Sequence, residues 1–313
     1  MRQLPYKTKQ FFFVLIKLSI VVGAFYFIYY KLTSNTSLSF GSFISFLLKK
    51  EVFTIKNLAF LLFLSCLNWF FEILKWQTLV SLVKKISFKN AIEQSLGSLT
   101  ASLFTPNRVG EYGAKAMYFS RENRKKILLV NFWHNGLQML VTTLFGVIGL
   151  LIFIKTYKPE LNYNKLFITL VFATILFIII IFALKKIKGF SFYKPKNISK
   201  NKLILGCFYA FIRYTIFSFQ FYVLLKIFSI NINYWNALTI ISSIYLLSSV
   251  IPSIFIFDVV IKGSIAVYLF SFAEISELTV LTVVSLMWIF NFVIPSILGS
   301  FYVIKFKLPE HET

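Results

Sequence analysis

Within Phe104–Ala116 (Phe-Thr-Pro-Asn-Arg-Val-Gly-Glu-Tyr-Gly-Ala-Lys-Ala), the charges of Arg108, Glu111 and Lys115 and the helix breakers Pro106 and Gly110 fall between long apolar stretches. Charge and broken backbone are expensive at membrane depth, so their presence there points to function. Glu111 and Lys115 stand four apart, on one helix face and within ion-pairing reach. About 146 residues later comes a weaker echo: Pro252, then Asp258 and Lys262, again an acid and a lysine four apart. A helix broken once in each half, with a charged pair behind each break, is the pattern of transporters whose site lies between two repeats. Two readings of each pair stand. The acid can answer the positive end of a helix dipole while the lysine neutralises it. Alternatively, the pairs line a polar cavity and handle a charged headgroup or a coupling ion, and two pairs at matching breaks favour this reading.

Other polar residues lie in the same apolar setting. Arg108, inside the break, can hold a phosphate bidentately or tie down carbonyls freed by the kink. Glu72 and Lys75, three apart in Asn68–Trp76, form either a pair with Lys75 snorkelling to the interface or part of the same cavity, with Glu72 partnering Arg108 or Lys115. Asn131, His134 and Asn135 make one helical stripe, suited to interhelical hydrogen bonding as much as to chemistry. Arg213 is the oddity of the second half and a candidate counter-ion for Asp258.

The elements that position these groups follow from composition. The chain of 313 residues is 58% hydrophobic and only 14% charged, with a mean hydropathy of +0.77, so its solvent is a bilayer. Phe11–Tyr30, Leu58–Val83, Ile127–Ile154, Leu166–Leu184, Leu203–Phe228 and Leu278–Ile304 are each long enough to cross. The net charge of +22 does not signal nucleic acid, because the lysines lie between apolar runs and the phenylalanines within them. With crossings at the six runs, most Lys and Arg outside the spans fall on the side of the N-terminus. The minority on the other side is Lys31, Lys49, Lys50, Lys56, Lys155, Lys158 and Lys165. This bias places both termini in the cytoplasm of a bacterial inner membrane. The N-terminal run is longer than a signal h-region and Tyr29-Tyr30-Lys31 is no cleavage site, so it is expected to remain as the first span.

Asn90–Phe104 and Asn236–Ile251 are short, rich in Ser, Thr and Asn, and each is followed by a proline and a second short helix. They are expected to be re-entrant hairpins; eight full spans is the alternative. The expected fold is an all-α integral membrane protein, a single polytopic domain over 1–313. It has about six full transmembrane helices and two broken hairpins, eight membrane segments in all. Segments of about 57–154 and 203–304 share the order long span with Cys66 or Cys207, polar segment, proline break, charged helix and closing span with Trp133 or Trp288 and Gly146 or Gly299. In this topology they are inverted repeats.

No metalloprotease, nucleophile-elbow or phosphate-loop motif occurs. With only His134 and His311, an imidazole metal centre is not expected, and no cofactor is implied. Cys66 and Cys207 lie within spans without partners and read as small packing residues.

Pro-Asn-Arg-Val-Gly-Glu-Tyr at 106–112 resembles the Pro-Gly-Arg-x-Gly-Glu motif of the lysylphosphatidylglycerol synthase transmembrane region family, a flippase-like membrane family. Asn-Trp-x-x-Glu-x-x-Lys-Trp at 68–76 and Phe-Val-Ile-Pro-Ser-Ile-Leu-Gly at 292–299 also resemble family segments. The resemblance spans roughly Phe11 to Lys305. It carries over to Pro106, Arg108, Gly110 and Glu111, whereas Asn107 replaces the motif's first glycine and the second-half segment around Asp258 lacks glycine. It implies a lipid-handling protein, here expected to stand alone without the soluble aminoacyl-transferase domain of the best-known relatives. The expected function is translocation of a lipid or lipid-linked intermediate, with anionic or isoprenoid-linked membrane lipids as partners. The alternatives are a membrane-embedded enzyme or an accessory subunit of envelope lipid or glycolipid synthesis.

Overall fold

The computed structural model describes residues 54–103, 105, 109–160, 199–250 and 255–307, with side chains from 261 onward in the last stretch. Phe11–Tyr30, Leu166–Leu184, Pro106, Arg108, Pro252 and the side chain of Asp258 lie outside the described residues. Every regular element among the described residues is helical: α1 Ile55–Val80, α2 Phe88–Ser102, α3 Gly110–Met117, α4 Arg121–Tyr157, α5 Lys200–Ile227, α6 Tyr234–Val250, α7 Phe255–Ser271, α8 Glu277–Trp288 and α9 Ile294–Lys305. A π-helical turn, Ile289–Val293, joins α8 to α9.

Four of the expected spans are present as helices long and apolar enough to cross a membrane: α1, α4, α5 and the continuous Glu277–Lys305, of 26, 37, 28 and 29 residues. Their surfaces are inverted relative to a water-soluble protein. On α4, Leu140, Leu144, Val147, Ile148, Leu151 and Ile152 are exposed, while Asn131 and His134 are fully buried. Apolar outside and polar inside is the arrangement a hydrocarbon solvent selects, because lipid satisfies no hydrogen bond. Cys66 faces outward on α1 and is exposed, so it is not the packing residue expected from its position.

The short elements α2 and α3, and α6 and α7, occupy the places expected for the two polar segments and the helices behind their breaks. Local chemistry starts them. The Ser87 hydroxyl accepts the Asn90 amide and opens α2, and the Thr105 hydroxyl accepts the Gly110 amide at 2.8 Å and opens α3. Glu111 in the first turn of α3 and Lys115 in its last suit the helix dipole.

Packing is crossed. α1 lies along α5, α2 packs on α9, and α6 packs on α4. Close approach at the last two contacts needs glycine. A Cβ on Gly299 would stand 2.2 Å from the Leu96 carbonyl oxygen and 2.3 Å from Thr100 Oγ1. A Cβ on Gly146 would stand 2.5 Å from Leu246 Cβ and 3.1 Å from the Ser242 carbonyl. The π-helical turn has a local cause. Pro295 lacks the N–H that an α-helix would offer to the Asn291 carbonyl, and Trp69 Nε1 donates to that oxygen instead at 3.0 Å.

Substituting Gly299→Ala forces a methyl group onto backbone and is expected to destabilise by about 1–3 kcal/mol. Gly136→Ala, which meets nothing within 4 Å, is expected to be neutral or stabilising by up to about 1 kcal/mol. Thermal unfolding of the two variants in detergent measures the contrast.

Candidate functional site

Four helices deliver charge to one buried place. From α1, Glu72 and Lys75 form an ion pair at 2.9 Å. From α5, Arg213 Nη1 reaches the same Glu72 oxygen at 2.7 Å. From α3, Lys115 pairs with Glu111 at 2.7 Å. From α4, His134 Nε2 lies 3.6 Å from Glu72 Oε1, and Asn131 Oδ1 accepts from Lys115 at 3.0 Å. The side chains of Lys75, Lys115 and His134 are 0–1% exposed, those of Glu72 and Glu111 5–8%, and that of Arg213 19%.

Neutral groups brace the ions. Gln138 Oε1 accepts from Lys75 at 3.3 Å and from Arg213 at 3.2 Å, while its amide donates to the Ala210 carbonyl. Trp76 Nε1 donates to Gln94 at 2.8 Å, which fixes the indole so that Lys115 Nζ sits 4.1 Å from its ring centre. The ring face supplies negative potential to an ammonium removed from water.

A second buried network, made of amides and a hydroxyl, lies on the π-helical turn. Asn68 donates to Asn291 Oδ1 at 2.8 Å, Asn291 donates to Gln220 Oε1 at 2.9 Å, and Gln220 donates to Ser65 Oγ at 2.8 Å and to the Leu61 carbonyl. In the second half, Lys262 on α7 borders a cavity of about 60 Å3 lined otherwise by aromatic and aliphatic residues, among them Phe217, Phe221, Val284, Met287 and Trp288. Its ammonium lies 5.8 Å from the Phe292 ring centre.

Glu72, Glu111, Lys115 and Arg213 are therefore brought together, and Lys262 is placed at the second-half cavity. One expectation is corrected: Lys75 is fully buried, so it does not snorkel. Arg213 meets Glu72 across the α1–α5 contact, and the side chain of Asp258, its expected partner, lies outside the described residues. Glu72 is held by Lys75 and Arg213, with Lys115 committed to Glu111. The sequence reading missed Gln138, Gln94 and the Asn68–Asn291–Gln220 network. Gln138 was within reach of it, because it continues the stripe of Asn131, His134 and Asn135 by one helical step.

Glu72, Glu111 and His134 can each offer an atom such that all three lie within 4.8 Å of one another, a spacing fit for a metal ion. The charge around them opposes one: Lys75, Lys115 and Arg213 already occupy the two carboxylates, and a divalent cation would have to displace them. The arrangement is suited to holding and re-pairing charge inside an apolar body. Comparison with protein-family models, with curated proteins and with solved structures gives no match to this chain.

Glu72→Gln leaves Lys75 and Arg213 facing a neutral amide and is expected to lose about 3–5 kcal/mol of stability. Glu72→Gln with Lys75→Met removes the ion pair as a unit and is expected to lose less. Equilibrium unfolding in mixed micelles ranks the two.

Proposed function

We propose that this chain translocates a membrane lipid or a lipid-linked intermediate across the bacterial cytoplasmic membrane. In this reading it is a stand-alone member of the flippase-like family that the Pro106–Tyr112 motif resembles. The observation that carries the reading is the ion cluster itself. Glu72, Lys75, Glu111, Lys115 and Arg213 are buried among helices apolar enough to span a membrane, where ionisable groups are kept only at a cost.

Inverted repeats of about 57–154 and 203–304 fit the crossed packing. Exchanging the halves turns the α2–α9 contact into α6–α4 and leaves α1–α5 on itself. One displacement along the chain carries Leu96 and Thr100, which face Gly299, to Ser242 and Leu246, which face Gly146. Another carries Lys75 to Gln220 and Asn68 to Arg213. Thus Gln138 bonded to Lys75 and Arg213 matches Asn291 bonded to Gln220 and Asn68. Such register belongs to two copies of one structural unit about an axis between α1 and α5. With both termini cytoplasmic, α2–α3 and α6–α7 are hairpins entering from opposite faces, and the cluster lies near the midplane.

Two measurements test this. In vesicles reconstituted with the purified chain and a trace of headgroup-labelled lipid, impermeant reductant should bleach label from both leaflets, and Glu111→Gln should slow the inner-leaflet phase at least about tenfold, the scale for losing a charged hydrogen bond. Equal rates for wild type, Glu111→Gln and empty vesicles would remove translocation. In cells, Val109→Cys should resist an impermeant thiol reagent added outside if α2–α3 is a hairpin, and should label if these helices are full spans.

A further inference from the structure

We infer that the cluster around Glu72 and Lys115 receives an anionic oxygen, that of a phosphate or phosphodiester, rather than the ammonium of an aminoacylated lipid. The inference rests on the translocation reading for its setting and names the charge of what is carried.

The first argument is charge. Among the described residues the cluster holds three cations, Lys75, Lys115 and Arg213, against two carboxylates, Glu72 and Glu111. All but Arg213 are almost completely buried. A surplus positive charge in a weakly polarisable interior asks for a counter-charge that the described side chains do not supply.

The second argument is independent and concerns hydrogen-bond donors. Asn131 is fully buried; its oxygen is taken by Lys115, while its Nδ2 has no acceptor. Arg213 uses Nη1 on Glu72 and Gln138, while its Nε has none. Both atoms can only donate. The cations on α1, α3 and α5 and the amide on α4 thus leave unused N–H groups and an excess of positive charge in one place. An oxyanion completes both deficits at once, and a guanidinium with a free Nε–H is the side chain best shaped to share one. An ammonium group would complete neither and would add to the surplus. Glu72 Oε2 and His134 Nε2 also lack a hydrogen bond. The carboxylate oxygen is met by its ion pairs with Lys75 and Arg213 at 2.9 and 2.7 Å, and His134 Nε2, 3.6 Å from Glu72 Oε1, serves either sign according to its proton and so does not decide.

The test is a charge count by mutation. The full chain in neutral nanodiscs is titrated with phosphatidylglycerol, phosphatidylcholine and lysyl-phosphatidylglycerol of matched chains, and binding is read by native mass spectrometry. All three lipids carry the phosphodiester, so the net charge of the headgroup sets the order. Wild type should prefer anionic phosphatidylglycerol over zwitterionic phosphatidylcholine by about tenfold, and lysyl-phosphatidylglycerol, whose ammonium groups offset its phosphate, should bind no better than phosphatidylcholine. Arg213→Gln balances the cluster and should abolish the preference. Glu72→Gln on top of Arg213→Gln restores the surplus with fewer charges and should bring the preference back. Asn131→Leu removes a donor and no charge, and should weaken phosphatidylglycerol several-fold even if Arg213→Gln fails to fold. Competition by inorganic phosphate at millimolar concentration would mark the phosphate group alone as sufficient, and absence of competition would mark the lipid-borne phosphate as the ligand. Preference for lysyl-phosphatidylglycerol, or a phosphatidylglycerol preference indifferent to both Arg213→Gln and Asn131→Leu, would overturn the inference. A preference that follows the charge count in a chain that moves no lipid across vesicles would sink translocation and leave the anion site standing.

Discussion

Burial of the Glu72 carboxylate organises this molecule. Away from water, a carboxylate needs full compensation, and Glu72 finds it only where α1 meets α5, with Lys75 from its own helix and Arg213 from the other. Those cations in turn require Gln138, which draws in α4, and the neighbouring Lys115–Glu111 pair is tied to α4 through Asn131. The partners come from four helices, so the charges can be satisfied only when α1, α3, α4 and α5 are assembled. Lipid gives no hydrophobic push between helices that are apolar all round, so polar pairing and close small-residue contacts must specify the assembly.

The small-residue contacts have their own logic. Gly299 and Gly146 let the last long helix of each half press against the short polar helix of the other, backbone to backbone. A hydroxyl closes the first of these seams, with Thr100 donating to the Ser296 carbonyl, while Tyr214 on α5 donates to Ser242 on α6. The π-helical turn at Ile289–Val293 belongs to this scheme. Pro295 frees a carbonyl that Trp69 captures, and the turn carries Asn291 to Asn68 and Gln220. A break in one helix is thereby converted into a three-helix polar contact.

Much of this architecture was legible in the sequence. The apolar runs that became α1, α4, α5 and α8–α9 announce themselves by length, and the i,i+4 spacing of Glu111 and Lys115 gives their pair directly. What the sequence hid is tertiary. Arg213 and Glu72 are far apart in the chain, and nothing local says that they meet; spacing alone points to a counter-ion within the same half. Lys75 looked like an interfacial lysine because its helix end is close, yet the crossing of α1 with α5 covers it. Uncharged amides such as Gln138, Gln94 and Asn291 carry no distinctive signal in an apolar chain, although they make the connections on which the ions depend. The matched tryptophans also misled in detail, for Trp288 is buried while Trp133 faces outward.

The two halves share packing but not chemistry, and that difference bears on mechanism. The displacement that carries Lys75 to Gln220 carries Glu72 to Phe217 and Trp76 to Phe221. The one that carries Gln138 to Asn291 carries Asn131 to Val284 and His134 to Met287. Phe217, Phe221, Val284 and Met287 are the very residues that line the second-half cavity beside Lys262. The site filled with charge in one half is therefore an apolar cavity in the other, with a lysine kept in both. On the inverted-repeat proposal, a symmetric scaffold with an asymmetric interior would offer a polar station and a hydrocarbon-like station on either side of one axis. An amphiphile has both kinds of surface, whereas a simple ion would need only the first.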